Sequence, residues 1–255
     1  MTSPRFELMP VGQGIASFRI ATDENPYFSL ESLDALRAIA RSVEVDSELR
    51  AIIIEGGHRQ FCAGADRQTL LRPDAAATID TLVGEVARTV LSFPVPTIAA
   101  MSGHAIGGGF IVGLWCDTVI MAEESLYSAN FLELGFTPGM GSTFLLAEVF
   151  GAQLARELLL TGRALTGAEL KALVPSLSHR IVPRARVTDD ALALAHELAG
   201  LSPPAVRLFK KHLHAQRGAA LEKALENERR MHEEIFSLDE TRASVSRNYA
   251  SGSER

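Results

Sequence analysis

The chain has 255 residues, 47% of them hydrophobic and 22% charged, with a net charge of −6. That is the composition of a globular protein able to bury its own core, and its acidity argues against nucleic acid as the main ligand. The polar start "MTSPRFE", the lack of a membrane-length apolar run and two isolated cysteines, Cys62 and Cys116, together lead to the expectation of a reducing cytoplasm with no membrane or metal partner.

Residues 5–9 and 14–21 predict two short strands joined by a glycine turn. From Ser29 to Glu44, Leu30, Leu33, Leu36, Ala40 and Val43 recur at helical spacing behind Ser29 as N-cap. "RAIIIEGG" is a β-branched run closed by glycines, hence a buried strand, and "FCAGAD" is a glycine-hinged loop. A helix over 75–92 ends before "FPVPTIAAMSG", where two prolines forbid helix and the chain reads as strand. A helix from Gly109 to Leu114, the strand "DTVIMAE", the turn-rich "FTPGMG" and a helix Ser142–Phe150 follow. Beyond residue 152 helices are expected at 152–161, 167–172, 188–200, 204–215 and 219–238, with a short one near the end and a frayed tail "SGSER". The pattern predicts a mixed α/β body over 1–200 and a helical region over 201–255.

Several motifs are excluded by spacing. Gly107, Gly109 and Gly113 miss the dinucleotide pattern by one residue, and "TPGMGST" lacks a P-loop lysine. No G-x-S-x-G elbow exists, and "HEEIF" has no second histidine for zinc. What remains are two loop–helix junctions built of small residues, Cys62–Asp66 and Gly103–Phe110. Free N–H groups there could hold an anionic oxygen, each donor lowering an enolate-like transition state by about 3–4 kcal/mol. Glycines at turns and tight helix packing would produce the same pattern.

In order and spacing, "FCAGAD", "IAAMSGHAIGGGF…CD" and "LGFTPGMGST" resemble the crotonase (enoyl-CoA hydratase/isomerase) superfamily over most of the chain. The resemblance implies a crotonase-like ββα spiral core, C-terminal trimerisation helices, and a homotrimer or dimer of trimers. It also implies an oxyanion hole from the N–H groups of Ala65 and Gly108. Family hydratases carry two water-handling glutamates, whose positions here are Ile111 and Phe131, both apolar, so hydration is not expected.

"EESLYSANFLELGFTPGMGST" and "MHEEIF" are most similar to the decarboxylating crotonases of polyketide β-branching cassettes. This implies conversion of a 3-methylglutaconyl to a 3-methylcrotonyl thioester. The acyl group would ride on the phosphopantetheine of acyl carrier protein, or on coenzyme A, with no other cofactor. His232 is implied as proton donor, its imidazole suited to neutral pH; its inward position beside Leu225, Ile235 and Phe236 equally fits a core histidine. Relatives of this kind are expected to use a lysine after the first loop. Here only Arg67 and Arg72 stand between Ala65 and Gly84, as holders of the substrate carboxylate or as a solvated helix face. Glu133 could make the protein an isomerase if it faces the pocket, or be a surface acid. His104 is expected to support its loop and Asp66 to cap the helix after it. Lys210 and Lys211, in an acid-free run, could meet the carrier's phosphate or simply line a solvated helix.

Overall fold

The computed structural model describes residues 7–252. In chain order its elements are β1 (Met9–Gly12), β2 (Ile15–Arg19), α1 (Leu30–Val45), β3 (Ala51–Glu55), β4 (Gln60–Cys62), α2 (Arg67–Leu70), α3 (Ala75–Ser92), β5 (Thr97–Met101), β6 (His104–Ile106), α4 (Gly108–Leu114), β7 (Thr118–Ala122), β8 (Leu126–Ser128) and α5 (Phe131–Leu134). They continue with α6 (Ser142–Phe150), α7 (Ala152–Thr161), β9 (Leu165–Thr166), α8 (Gly167–Leu173), β10 (Ile181–Val182), α9 (Val187–Ala199), α10 (Pro203–Ile235) and α11 (Asp239–Gly252). Residues 5 and 6 of the first expected strand, and the last three of the tail, lie outside the described residues.

Two sheets alternate along the chain. One has the order β1-β2-β3-β5-β7-β10, the other β4-β6-β8-β9. So β3 then β4, β5 then β6, and β7 then β8 each place one strand in the large sheet and the next in the small one, then run into helix. That is a ββα repeat. All neighbours from β2 to β10 in the large sheet are parallel. Such strands must be covered on both faces, which explains their unbroken apolar runs. Ile53, Ile98 and Ile120 pack on one side with Val187, Ala191, Leu194 and Ala195 of α9. Ile52, Ile54, Ala99, Met101, Val119 and Met121 join the main core on the other side.

The C-terminal helices are continuous with that core: Leu221, Phe236 and Val245 are buried in it. Two separate helices were expected over 204–215 and 219–238; the structure has one, α10. Gly218 does not break it. A helical glycine costs about 1 kcal/mol, which the buried stripe of Leu221, Ala224, Glu228 and His232 against the core outweighs. Among the described residues no helix is long and apolar enough to cross a membrane.

Candidate active site

Each of the three glycines at 107–109 has a different reason to be there. Gly107 sits at φ +56°, a left-handed region where a side chain is strained. A Cβ at 109 would lie 2.0 Å from the carbonyl oxygen of Cys62, so Gly109 is needed for α4 to pack on β4. Gly108 has neither constraint. A Cβ there would meet Gly64 Cα at 3.6 Å and Met140 Cε at 3.7 Å, ordinary contacts. The fold explains two glycines and leaves the middle one.

Gly108 faces the other loop. A Cβ on Gly64, itself at φ +79°, would stand 3.0 Å from the Gly108 nitrogen, so the two backbones touch. The first loop is pinned by Phe28 N–H donating to Gly64 O at 2.7 Å, and by Tyr249 Oη donating to Ala65 O at 2.5 Å. Among the described residues neither the Ala65 N–H nor the Gly108 N–H donates to a protein acceptor. Gly108 opens α4, where the first-turn amides have no intrahelical partner.

The third motif closes over this junction. Met140 reaches Gly108 with its side chain while holding φ +63°, which costs a non-glycine residue about 1–2 kcal/mol. Two bonds hold it there. Trp115 Nε1 donates to Met140 O at 2.8 Å, and Gly141 N–H donates to Glu228 Oε2 at 2.7 Å. Glu228 also accepts from the Thr143 N–H and hydroxyl at the start of α6. Burial pushes its carboxyl up from the usual range, against those donors and the charge of His232.

His232, on α10, packs against the same loop, where a Cβ on Gly139 would be 2.9 Å from its Cε1. Its ring is 1% exposed, with Nδ1 2.5 Å from Asp80 Oδ1 and Nε2 3.1 Å from Thr137 O. Two acceptors on two ring nitrogens describe an imidazolium. Burial works against that charge. The Asp80 hydrogen bond and charge, the Thr137 carbonyl and the charge of Glu228 outweigh it and raise the pKa. Stability from this contact is therefore fully present below about pH 6.5, the unfolded imidazole value, and fades as pH rises through the higher folded value. The stability gap between wild type and His232→Gln should shrink as pH is raised in paired denaturant melts; a widening gap would contradict the charged assignment.

The remaining expected residues fall as follows. Ile111 and Phe131 are buried, and the Phe131 ring lies 3.9 Å from where a Gly107 Cβ would be. Aromatic contacts run from Phe131 through Phe136 and Phe236 to His232. Glu133 is exposed, with its side chain against Gly162. Arg67 is exposed on the short helix α2. Arg72 is also at the surface, but both of its bonded nitrogens are forked onto Asp74 at 2.8 and 3.1 Å, so it is committed to its neighbour rather than to a substrate carboxylate. His104 Nδ1 accepts from Leu126 N–H, and Asp66 caps α2 by accepting from Thr69 N–H. Lys210 is buried and bonded to both oxygens of Asp117 at 2.7 Å, so it is no carrier contact; Lys211 is exposed. The sequence reading missed Asp80, Glu228, Met140 and Tyr249.

Two cavities of about 250 Å³ lie elsewhere, one near Arg19, Asp23 and Glu55, the other between Arg88 and His214. Neither brings paired amides and a charged histidine together, so the glycine junction is the better site. Among the described residues no group of three or more metal-ligating side chains is assembled.

The enoyl-CoA hydratase/isomerase family profile matches residues 12–250. The chain belongs to this family. Among its relatives is the bacillaene synthase decarboxylase PksI of Bacillus subtilis, 36% identical over 248 residues, 96% of this chain and 98% of PksI. A putative enoyl-CoA hydratase of Thermus thermophilus is 35% identical over 78% of this chain and 79% of its own. Among solved structures, a member of a dehydratase/decarboxylase couple involved in polyketide β-branching superposes with TM-score 0.86 at 35% identity, covering 95% and 98% of the two chains. The ECH2 decarboxylase domain of CurF from Lyngbya majuscula gives 0.83 at 28% identity, covering 94% and 97%. The ββα repeat and its helical C-terminal region are thus the crotonase fold. Family members share this scaffold across hydratases and decarboxylases, so the chemistry must be argued from the site.

Proposed function

We propose that the protein decarboxylates a 3-methylglutaconyl-type thioester on acyl carrier protein to a 3-methylcrotonyl-type thioester in polyketide β-branching. The observation that carries this reading is Gly108: a glycine the fold does not require, facing Gly64, with two unengaged amides beside it. A thioester oxygen between the Ala65 and Gly108 N–H groups accounts for it. When the C–CO2 bond breaks, its electron pair enters the conjugated acyl chain and charge gathers on that oxygen, where fixed donors act most strongly. A proton then converts the dienolate to product, with the imidazolium of His232 as its source. Similarity to PksI and to the CurF domain supports decarboxylation.

Hydration lacks its carboxylates, since Ile111 and Phe131 occupy both places. An isomerase working through Glu133 is disfavoured by that residue's exposure. Neither a metal nor a redox cofactor has a step in this scheme; the phosphopantetheine arm, or coenzyme A, only carries the substrate. The reading also includes a cytoplasmic homotrimer or dimer of trimers, supported by the exposed apolar Leu208 and Phe209 on α10. The test is mass spectrometry of 3-methylglutaconyl-ACP incubated with the protein. Loss of CO2 is expected; intact substrate would overturn the decarboxylase, and a hydrated or isomerised product would replace it.

A further inference from the structure

His232 cannot itself touch a substrate. Its ring is 1% exposed, and both nitrogens are spent inside the protein. Gly139 lets the loop close directly on the ring, since a Cβ there would be 2.9 Å from Cε1. A proton on this imidazolium can leave along one of two hydrogen bonds. The Thr137 carbonyl is a peptide oxygen and no useful base. Asp80 is a carboxylate.

Asp80 also has access. Its side chain keeps 20% of its surface exposed, and among the described residues its only hydrogen bond is through Oδ1 to His232. Oδ2 is left for something else. The place is right too: the loop that seats the ring at Gly139 is the one whose next residue, Met140, covers Gly108.

We propose that Asp80 is the catalytic residue that hands the proton to the dienolate, and that His232 is the positioning residue that reloads it. In the first step the His232 Nδ1–H bond breaks and an Asp80 Oδ1–H bond forms, leaving a neutral imidazole and a neutral carboxyl, which then turns about its Cβ–Cγ bond to present that O–H to the acyl chain. In the second, that O–H bond breaks as the dienolate's electron pair makes the new C–H bond, and Asp80 returns to carboxylate. Solvent restores the imidazolium through Asp80. One proton enters the acyl chain for each CO2 lost, and no co-reactant is needed.

The proposal rests on the decarboxylase reading but is separable from it by hydrogen exchange. In D2O, Asp80 should also run the second step backwards on 3-methylcrotonyl-ACP, exchanging deuterium into the product without any CO2. Asp80→Asn keeps an acceptor for His232 but cannot relay a proton. It is expected to lose about 10²–10⁴-fold in both kcat for CO2 release and exchange rate, with KM little changed. Asp80→Glu should restore part of the rate, which also guards against a folding defect in Asp80→Asn. His232→Gln should lose less than Asp80→Asn, since solvent can still load Asp80. Wild-type exchange without CO2 release would sink the decarboxylase and leave Asp80 standing. Wild-type-like exchange by Asp80→Asn, a greater loss in His232→Gln, or no exchange by the wild type would overturn the Asp80 assignment.

Discussion

Gly64→Ala is expected to cut kcat by about 10²–10³-fold while the protein still folds, the loss seen when one oxyanion donor is disabled. The new methyl would stand 3.0 Å from the Gly108 nitrogen, in the space an anionic oxygen needs. The backbone at φ +79° adds a fold cost of about 1–2 kcal/mol, small beside a domain's total stability. Two companion variants separate the causes. Gly109→Ala drives a Cβ to 2.0 Å from a backbone oxygen and should fail to fold, because nothing flexible can move aside. Gly108→Ala meets only ordinary contacts and should melt near the wild type, yet it crowds the same oxygen and should lose activity. Rates of CO2 release and thermal melts, measured on all three variants, distinguish a lost donor from a lost fold. If Gly64→Ala or Gly108→Ala turned over like the wild type, the paired-amide site would be wrong.

These glycines also mark where sequence reasoning was strong and where it stopped. The β-branched runs announced the inner strands of the large sheet, β2, β3, β5 and β7, because parallel buried strands have no other composition, while the spiral came from the family resemblance. The small sheet escaped with β10: β4, whose Phe61 and Cys62 were read as loop, and β6, β8 and β9 are two or three residues long, too short to carry a period. The triplet was legible as a candidate site, but its division of labour was not: that Gly109 answers to Cys62 while Gly108 meets only ordinary contacts depends on contacts across the fold. Asp80 was readable in part, as a lone acid between the buried Ile79 and Leu82 of α3, but its partner is 152 residues away. Glu228 gave a clearer signal. It stands four residues before His232 on one helix, and such pairs share a face.

The same stripe corrects the reading of the basic run, and it carries the second large effect. Lys210, Leu221, Ala224, Glu228 and His232 are the buried positions of α10, so Lys210 points inward even though its neighbours Phe209 and Lys211 do not. Its ammonium sits between the two oxygens of Asp117, which also accepts from the Thr97 N–H and hydroxyl and so ties α10 to the start of β5. Removing one partner of a buried pair strands the other charge, so Lys210→Met should cost about 3–5 kcal/mol. That corresponds to a fall in Tm of roughly 10 °C for a chain of this size. Lys210→Glu should be worse, since two carboxylates would share one site. Adding Asp117→Asn to Lys210→Met should recover much of the loss, the non-additivity expected of partners in contact. Lys211→Glu, at the surface, should melt within about 0.5 kcal/mol of the wild type. It is therefore the clean probe of the carrier: a raised KM for ACP-bound substrate in Lys211→Glu would place the phosphopantetheine arm beside α10. An unchanged melt in Lys210→Met would mean that the Asp117 contact contributes nothing, and Lys210 would again be free to serve the carrier.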